Sequence, residues 1–242
     1  MVRVSARQEA EVRESLDALE GAGWAIEPAI RDLTLGRAGP VSERTLRVRS
    51  VTYHIPYIES VSRLVLWRCH WPDCTNCCSR QGRLPLTSDD LITIGSGLKY
   101  SGVSGFVAAE TITSTWSAPG PSGPASATMT SVNLKRSASE TAAEDGTRIP
   151  CRFLGGDGAC SLHPGRPGVC YLYPFSTWLQ AERGAARVHA AFQFTGDCPG
   201  FYLAESVEEM RGTLEEYADI ILRYNMAYAR TAREGYGASA MH

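Results

Sequence analysis

The sequence of 242 residues predicts an α+β fold, in which short β-hairpins form a small, irregular, cysteine-rich domain that N-terminal and C-terminal helices cover. Three observations lead to this prediction. Apolar residues recur with a helical period near both ends of the chain. Segments rich in β-branched residues alternate between them, and the 8 cysteines concentrate in the middle. A chain of this length can bury a hydrophobic core without disulfides.

The predicted N-terminal region, residues 1–60, holds a helix and a strand that pack on the core. Apolar residues follow the helical period from Val12 to Leu19, and Gly21 then ends the pattern. Residues 45–55 alternate in part and are rich in β-branched side chains. They predict a strand with a break near Ser50.

The middle region, residues 61–204, is predicted to be the cysteine-rich domain. Thr87 can cap a helix whose first turn contains Asp89 and Asp90, and acidic side chains favour a helix N-terminus. We therefore interpret both acids as helix-start residues rather than catalytic carboxylates. Residues 114–131 consist mostly of Ser, Pro, Gly, Ala and Thr, which predicts a mobile loop inserted into the domain.

A hairpin and a long helix are predicted towards the C-terminal end. The hairpin covers residues 177–194 and turns at Glu182-Arg183-Gly184. The region 205–242 then contains a long helix and a tail. Its apolar and aromatic residues recur at helical spacing from Val207 to Tyr228, a stripe typical of core packing rather than of a cofactor site.

Charge and hydropathy exclude several classes of protein. The 24 basic and 26 acidic residues give a net charge of -2 without a long run of either sign, so no nucleic-acid surface is expected. The first residues mix charged and apolar side chains, unlike a signal peptide, and no apolar stretch approaches a membrane span. We expect a cytoplasmic protein, where cysteines are thiols or metal ligands rather than disulfides.

The cysteines form two groups along the chain, one from Cys69 to Cys78 and one from Cys151 to Cys170, with Cys198 after them, and both groups have spacings that suit metal ligation. The Cys-x2-Cys turn of Cys74 and Cys77 aims two sulfurs at one point while its backbone amides donate to them. Adjacent cysteines fit a cluster with several metal vertices, or two neighbouring sites, better than one zinc ion. Neither group suffices alone, so we predict that ligands are pooled from both. The candidates are Cys69, Cys74, Cys77, Cys78, Cys151, Cys160, Cys170 and Cys198.

The second group lies in a recognisable order of motifs. Ile149-Pro150-Cys151-Arg152-Phe153-Leu154 is followed by the segment from Cys160 to Cys170 and then by Tyr173-Pro174-Phe175. This order resembles the YkgJ-type cysteine-cluster family, described as zinc- or iron-chelating proteins, and the resemblance covers Cys69 to Gly200. The family includes flagellin lysine N-methylase. The resemblance implies an iron–sulfur cluster, [4Fe–4S] in preference, ahead of zinc or mononuclear or multinuclear iron. It does not imply methylation, because no glycine-rich loop follows a strand.

Two departures from the family pattern affect individual residues. Four residues separate Cys69 from Cys74 where the family has two, and Tyr171 stands where the family usually has arginine. We expect Arg166 to donate to thiolates or to the backbone of its turn. Arg166, Tyr171 and Tyr173 are the predicted cofactor-contacting residues, and Trp71 and Trp178 are expected to help wall the site against solvent.

The predicted function is that of a metal-binding protein whose iron–sulfur cluster, or iron or zinc site, is held by cysteines from both halves of the chain. One hypothesis makes it a metalloenzyme that modifies an unidentified peptide or small molecule, although no catalytic residue can be named. The alternative is a non-catalytic zinc- or iron-binding protein with a structural metal and a surface that holds a partner. A redox thiol protein fits poorly, because the Cys-x2-Cys turn lacks a βαβ context.

Overall fold

The computed structural model describes residues 6–80, 82–120, 123–143, 148–182 and 185–233. The described residues form these elements in chain order: α1 (Ala6–Gly21), α2 (Pro28–Thr34), β1 (Val41–Val48), β2 (Val51–Ile58), β3 (Arg63–Trp67), α3 (Asn76–Ser79), β4 (Leu84–Pro85), α4 (Ser88–Gly97), α5 (Val103–Glu110), β5 (Thr111–Gly120), β6 (Gly123–Leu134), α6 (Gly168–Leu172), β7 (Phe175–Glu182), β8 (Ala185–Phe192), β9 (Phe201–Ala204), a 3₁₀ turn (Val207–Met210) and α7 (Arg211–Arg233). The predicted α+β class is confirmed.

The chain divides into two compact units. The first unit comprises Met1–Cys77 and Pro174–Leu222, and the second comprises Cys78–Tyr173 and Arg223–His242. These units cut across the three predicted regions, because the chain leaves the first unit inside α3 and re-enters it just after α6. Among the described residues, no helix combines the length and apolarity that a membrane crossing requires.

The first unit is built on a 6-stranded sheet with the order β7-β8-β2-β3-β9, and β1 pairs with β2 outside this path. Val48 pairs with Val51, so the predicted break near Ser50 is the turn of a β1–β2 hairpin. Arg49 in that turn has a φ of 52°, the left-handed conformation that tight hairpin turns require. The predicted hairpin over residues 177–194 is confirmed as β7 and β8; residues 183 and 184 of its turn lie outside the described residues.

The core of the first unit lies between this sheet and the first half of α7. Val51, Tyr53 and Ile55 alternate along β2 with at most 1% of their surface exposed, as expected of a strand with one face on the core. The Tyr53 hydroxyl donates to the Leu214 carbonyl over 2.8 Å, and Leu214 is itself buried. The predicted stripe of α7 is therefore core packing, as expected.

The second unit contains a 3-stranded sheet with the order β4-β6-β5. Strands β5 and β6 pair from Thr111 opposite Leu134 to Gly120 opposite Gly123, with an irregularity between Pro119 and Gly120. The prediction of a mobile loop over residues 114–131 is therefore wrong, since the described residues of this stretch are strands of one hairpin; residues 121 and 122 lie outside the described residues. Its composition is rich in loop-forming residues, but its threonines are good strand formers. The backbone ladder satisfies the polar main chain whether or not the side chains are apolar.

Helix α4 begins as predicted. The Thr87 side chain accepts from the Asp90 amide while the Asp90 carboxylate accepts from Thr87, which completes a capping box. Asp89 pairs with the exposed Arg230. Both acids therefore act at the helix start. This helix packs on the core of the second unit, whose buried members are Leu84, Leu86, Ile94, Phe106, Leu134, Phe153 and Val169.

Candidate metal centre

All eight cysteines lie within the described residues and are thiols rather than disulfides. The boundary between the units separates Cys77 from Cys78, so it divides the cysteines into two sets of equal size. The strand-end group, in the first unit, is Cys69, Cys74, Cys77 and Cys198. The loop group, in the second unit, is Cys78, Cys151, Cys160 and Cys170.

Three separate segments supply the loop group, and backbone hydrogen bonds join two of them directly. Cys78 lies in α3, and its carbonyl accepts from the Cys151 amide over 2.9 Å. Cys151 lies in irregular backbone between Pro150 and a turn. The preceding Pro150 has no amide hydrogen with which to continue a strand ladder.

A tight loop places Cys160 beside Cys151. The Leu154 amide donates to the Cys151 carbonyl over 2.9 Å, and Leu154 forms a β-bridge with Cys160. The loop between them closes where the Gly155 amide donates to the Ala159 carbonyl over 2.7 Å. An added Cβ at Gly155 would lie 2.6 Å from the Asp157 carboxylate and 3.3 Å from the Ala159 carbonyl oxygen, so a larger residue there would displace the Asp157 side chain.

Cys170 lies in α6, and two contacts fix the start of this short helix. The Gly168 amide donates over 2.9 Å to the same Asp90 carboxylate that caps α4. The Tyr224 ring packs against Gly168, where an added Cβ would lie 3.0 Å from the ring. Helix α6 therefore has a defined position relative to α4, and Cys170 packs against the same hydrophobic core as Cys151 and Cys160.

The thiols of the loop group interact electrostatically. Burial raises the pKa of the Cys170 thiol well above its usual value, and the nearby Cys151, Cys78 and Cys160 raise it further. Burial also raises the pKa of Cys151, whereas the Phe153 amide and the Arg136 guanidinium lower it. Both thiols are therefore protonated at neutral pH in the absence of a metal, and a bound cation would have to displace their protons.

Arg136 is the central charged residue of this region, and sequence reasoning missed it. It is fully buried, and it donates to the carbonyls of Ile149 over 2.6 Å, of Gly82 over 3.1 Å and of Cys78. Burial lowers its pKa, while Cys151, Cys170, Cys78 and the buried Glu140 favour its charged form. In the sequence, Arg136 stands beside Lys135 in a polar stretch, which gives no signal of burial.

The predicted cofactor-contacting residues lie around Cys170. The Arg166 guanidinium stacks on the Tyr171 ring at 4.0 Å, and its charge acts to lower the pKa of Cys170. The Tyr171 hydroxyl donates to the Pro164 carbonyl over 2.5 Å, which closes the turn before α6. Tyr173 is half-buried at the end of that helix. Arg166 therefore lies near a thiol of the loop group, and its expected hydrogen bond to a thiolate or to the backbone of its turn stays a prediction.

Other side chains considered from the sequence have different surroundings. Trp71 is 63% exposed and Trp178 is 38% exposed, so the expectation that they exclude solvent from a site was wrong. Trp178 instead stacks on His189 with 5.4 Å between ring centroids. The two residues are directly opposite each other in the β7–β8 hairpin, so the contact follows from the exact register of that hairpin.

No group of three or more Cys, His, Asp or Glu side chains within the described ranges is positioned to hold a metal ion. The thiols of the loop group are thus close enough to interact but do not converge on one point. No family profile, curated protein or solved structure was found to match this chain. The resemblance to the YkgJ-type family stays a prediction.

Proposed function

We propose that the chain is a metal-binding protein whose loop group, Cys78, Cys151, Cys160 and Cys170, holds an iron–sulfur cluster, [4Fe–4S] in preference, or a zinc ion. One observation carries the proposal: these cysteines come from three separate segments and interact with one another, and Cys78, Cys151 and Cys170 also interact with the buried cation Arg136. Four cysteines are the common donor set of both kinds of centre. The preference for iron–sulfur rests on the family resemblance.

The charges around the loop group fit a centre that carries negative charge. Four thiolates bring more negative charge than one divalent ion neutralises, and a buried guanidinium offsets part of the excess. The Arg136 guanidinium donates to neutral carbonyls, and the buried Glu140, which accepts from the Arg136 backbone amide, offsets part of its positive charge. A cation buried at this position without such a role would be costly.

A second feature also fits a sulfur-rich centre. The Nε atom of Arg166 is buried and, among the described residues, makes no hydrogen bond. It belongs to a guanidinium that already interacts with the Cys170 thiol. A neutral thiol is a weak acceptor, whereas a thiolate is a strong one. Deprotonation of Cys170 on metal binding would therefore give this N–H a partner.

Metal binding would require the thiols to draw closer together. Rotation about the single χ1 angle of each cysteine is the smallest change that achieves this. The backbone of each segment is already held by the hydrogen bonds of Cys151 to Cys78, Ser161 to Phe153 and Cys170 to Pro167. When bound, an iron–sulfur cluster supplies electron transfer, and zinc supplies a cross-link between the segments.

A second candidate function is favoured by the number of ligands. Four cysteines fill every position of a tetrahedral ion, whereas catalytic zinc keeps one position open. The alternative is therefore a non-catalytic protein with a structural metal and a partner-binding surface. The enzyme hypothesis, with a peptide or small-molecule substrate, requires the chemistry to take place beside a saturated centre. Thiolate ligands of either kind suit the reducing cytoplasm.

The test is purification of the full chain without oxygen, followed by absorption spectroscopy and by analysis of iron, acid-labile sulfide and zinc. Broad charge-transfer absorption with iron and sulfide in equal amounts supports the cluster, and a colourless zinc protein supports the structural alternative. Cys170→Ser should lose the metal. His163→Ala is the matched control, because His163 is exposed on the same turn, and it should keep the metal. A chain that holds no metal after anaerobic reconstitution overturns the proposal.

A further inference from the structure

The strand-end group has a geometry of its own, set by the pairing of β3 with β9. Trp67 at the end of β3 lies opposite Phe201 at the start of β9, and the Arg68 amide donates to the Gly200 carbonyl over 3.0 Å. The chain therefore continues to Cys69 on one strand and arrives from Cys198 on the other at the same edge of the sheet.

Gly200 makes this close approach possible. A Cβ at Gly200 would lie 2.0 Å from the Arg68 carbonyl oxygen and 2.9 Å from the Trp67 indole nitrogen. The first distance is to backbone, so no side-chain movement could relieve the clash. The segment that carries Cys198 is thus pressed against the segment that leads to Cys69, and only glycine fits between them.

Sulfur atoms of this group already accept hydrogen bonds. The Cys198 sulfur accepts from the Trp67 indole N–H over 3.2 Å and from the Gly200 amide over 3.4 Å. The Cys69 sulfur accepts from the Trp71 amide over 3.4 Å. Backbone and indole N–H groups aimed at sulfur stabilise thiolates, and they are the usual surroundings of cysteine ligands to metals.

Cys74 and Cys77 belong to a turn that is fastened to the same edge. The Cys74 amide donates to the His70 carbonyl over 3.0 Å, which turns the chain back after Cys69. The Asn76 side chain, adjacent to Cys77, donates over 2.9 Å to the carbonyl of Asp197, which directly precedes Cys198. These hydrogen bonds bring both ends of the Cys-x2-Cys turn towards the residues that flank the sheet edge.

We propose that the chain holds two metal centres rather than one, and that the strand-end group, Cys69, Cys74, Cys77 and Cys198, forms the second of them. This inference rests on the proposed function of the loop group. Cys77 and Cys78 are consecutive in α3, and consecutive helical residues point about 100° apart. One turn of helix therefore supplies one cysteine to each unit.

The chemistry of the strand-end group suits zinc. Cys69 and Cys77 are exposed, whereas each cysteine of the loop group is half-buried. Zinc is not redox-active, and four thiolates give it a closed tetrahedral site that tolerates solvent. Exposure also predicts that a chelator reaches the strand-end group first. The two centres should therefore differ in the rate of metal release.

The test uses the full-length chain, stripped of metal under anaerobic reducing conditions and titrated with Co²⁺, whose thiolate charge-transfer and d–d bands report tetrahedral sulfur ligation. Wild-type protein should bind two equivalents. Cys69→Ser/Cys198→Ser and Cys160→Ser/Cys170→Ser should each bind one, and circular dichroism should show that both double variants remain folded. Release of Co²⁺ from the wild type to a chromophoric chelator should show two phases of equal amplitude.

The possible failures are distinguishable. Suppose that the wild type binds one equivalent, that either double variant abolishes it and that release has a single phase. This result means one pooled centre: it overturns this inference and the assignment of the metal to the loop group alone, while metal binding by the chain stands. One equivalent that survives Cys69→Ser/Cys198→Ser places the metal in the loop group alone, which overturns this inference while the proposed function stands. No tetrahedral Co²⁺ in the wild type overturns both proposals. If a double variant does not fold, the number of release phases in the wild type decides the question.

Discussion

The two sets of cysteines are positioned by different means. Strand pairing brings Cys69 and Cys198 to one edge of a sheet, and N–H groups of Trp67, Trp71 and Gly200 already donate to their sulfurs. The segments that carry Cys78 and Cys151 are joined by Arg136, which donates to the carbonyls of Cys78, Gly82 and Ile149. Strand pairing positions Cys69 and Cys198 without a buried charge. The loop group instead depends on the guanidinium of Arg136, and burial of that charge costs free energy. The loop group should therefore be more sensitive to single substitutions.

Loss of a ligand should have the largest effect. For metal-loaded protein, Cys170→Ser should remove much of a binding free energy on the order of 10 kcal/mol. In metal-free protein the same change should cost only about 1–3 kcal/mol. The measurement is thermal unfolding with and without a chelator. Equal destabilisation with and without the chelator would mean that Cys170 is a packing residue and that the loop group does not bind the metal through it.

Removal of the buried guanidinium of Arg136 should have the second-largest effect on stability. Arg136→Met leaves three carbonyls without a donor and should lower the free energy of unfolding by about 3–5 kcal/mol. The matched control is Arg230→Met. Arg230 is 53% exposed and pairs with Asp89, and an exposed pair of this kind is worth at most about 1 kcal/mol. Urea denaturation of both variants checks this, and similar losses would contradict a special role for Arg136.

The pH dependence of metal-free protein should also separate the two groups. The pKa values of Cys151 and Cys170 are raised by burial, so their contribution to stability is complete below the unfolded thiol pKa of about 8.5. It is lost as pH rises towards the folded values, at up to about 1.4 kcal/mol per pH unit for each thiol.

The measurement is urea unfolding of the stripped protein between pH 8 and pH 10. Wild type should lose stability across this range, and Cys170→Ala should lose less. Cys69→Ala, in the strand-end group, is the control and should follow the wild type. A flat profile for the wild type would show that the thiols of the loop group are not buried in solution.

The smallest effect is expected at the shared acid of α4 and α6. Asp90→Ala removes the acceptor for Thr87 and for the Gly168 amide and should cost about 1–2 kcal/mol, within the range of lost helix caps. It should also weaken metal binding at Cys170. Asp89→Ala, one residue away and exposed, should lower stability by at most about 1 kcal/mol, through its pair with Arg230, and should leave metal affinity unchanged. Equal metal affinity in both variants would show that α6 does not need Asp90.

Local patterns predicted several elements correctly. The helical period from Val12 to Leu19, the cap at Thr87 and the stripe of α7 depend on contacts within one or two turns, so the sequence alone carries them. The hairpin over residues 114–131 was missed because its composition is typical of a loop. Its strands are held by backbone pairing with each other and, through β6, with β4, and that pairing leaves little trace in side-chain hydrophobicity.

The sequence by itself determined the fold class, the helices α1, α4 and α7 and the identity of the candidate ligands, because periodicity, caps and cysteine spacing are local properties. Only the tertiary structure decided which cysteines share a unit. Cys78 joins Cys151 through a backbone hydrogen bond, while Cys69 approaches Cys198 through the register of β3 and β9. It also decided that Arg136 is buried. These contacts join residues far apart in the chain, and burial of a charge depends on what surrounds it rather than on its neighbours in sequence.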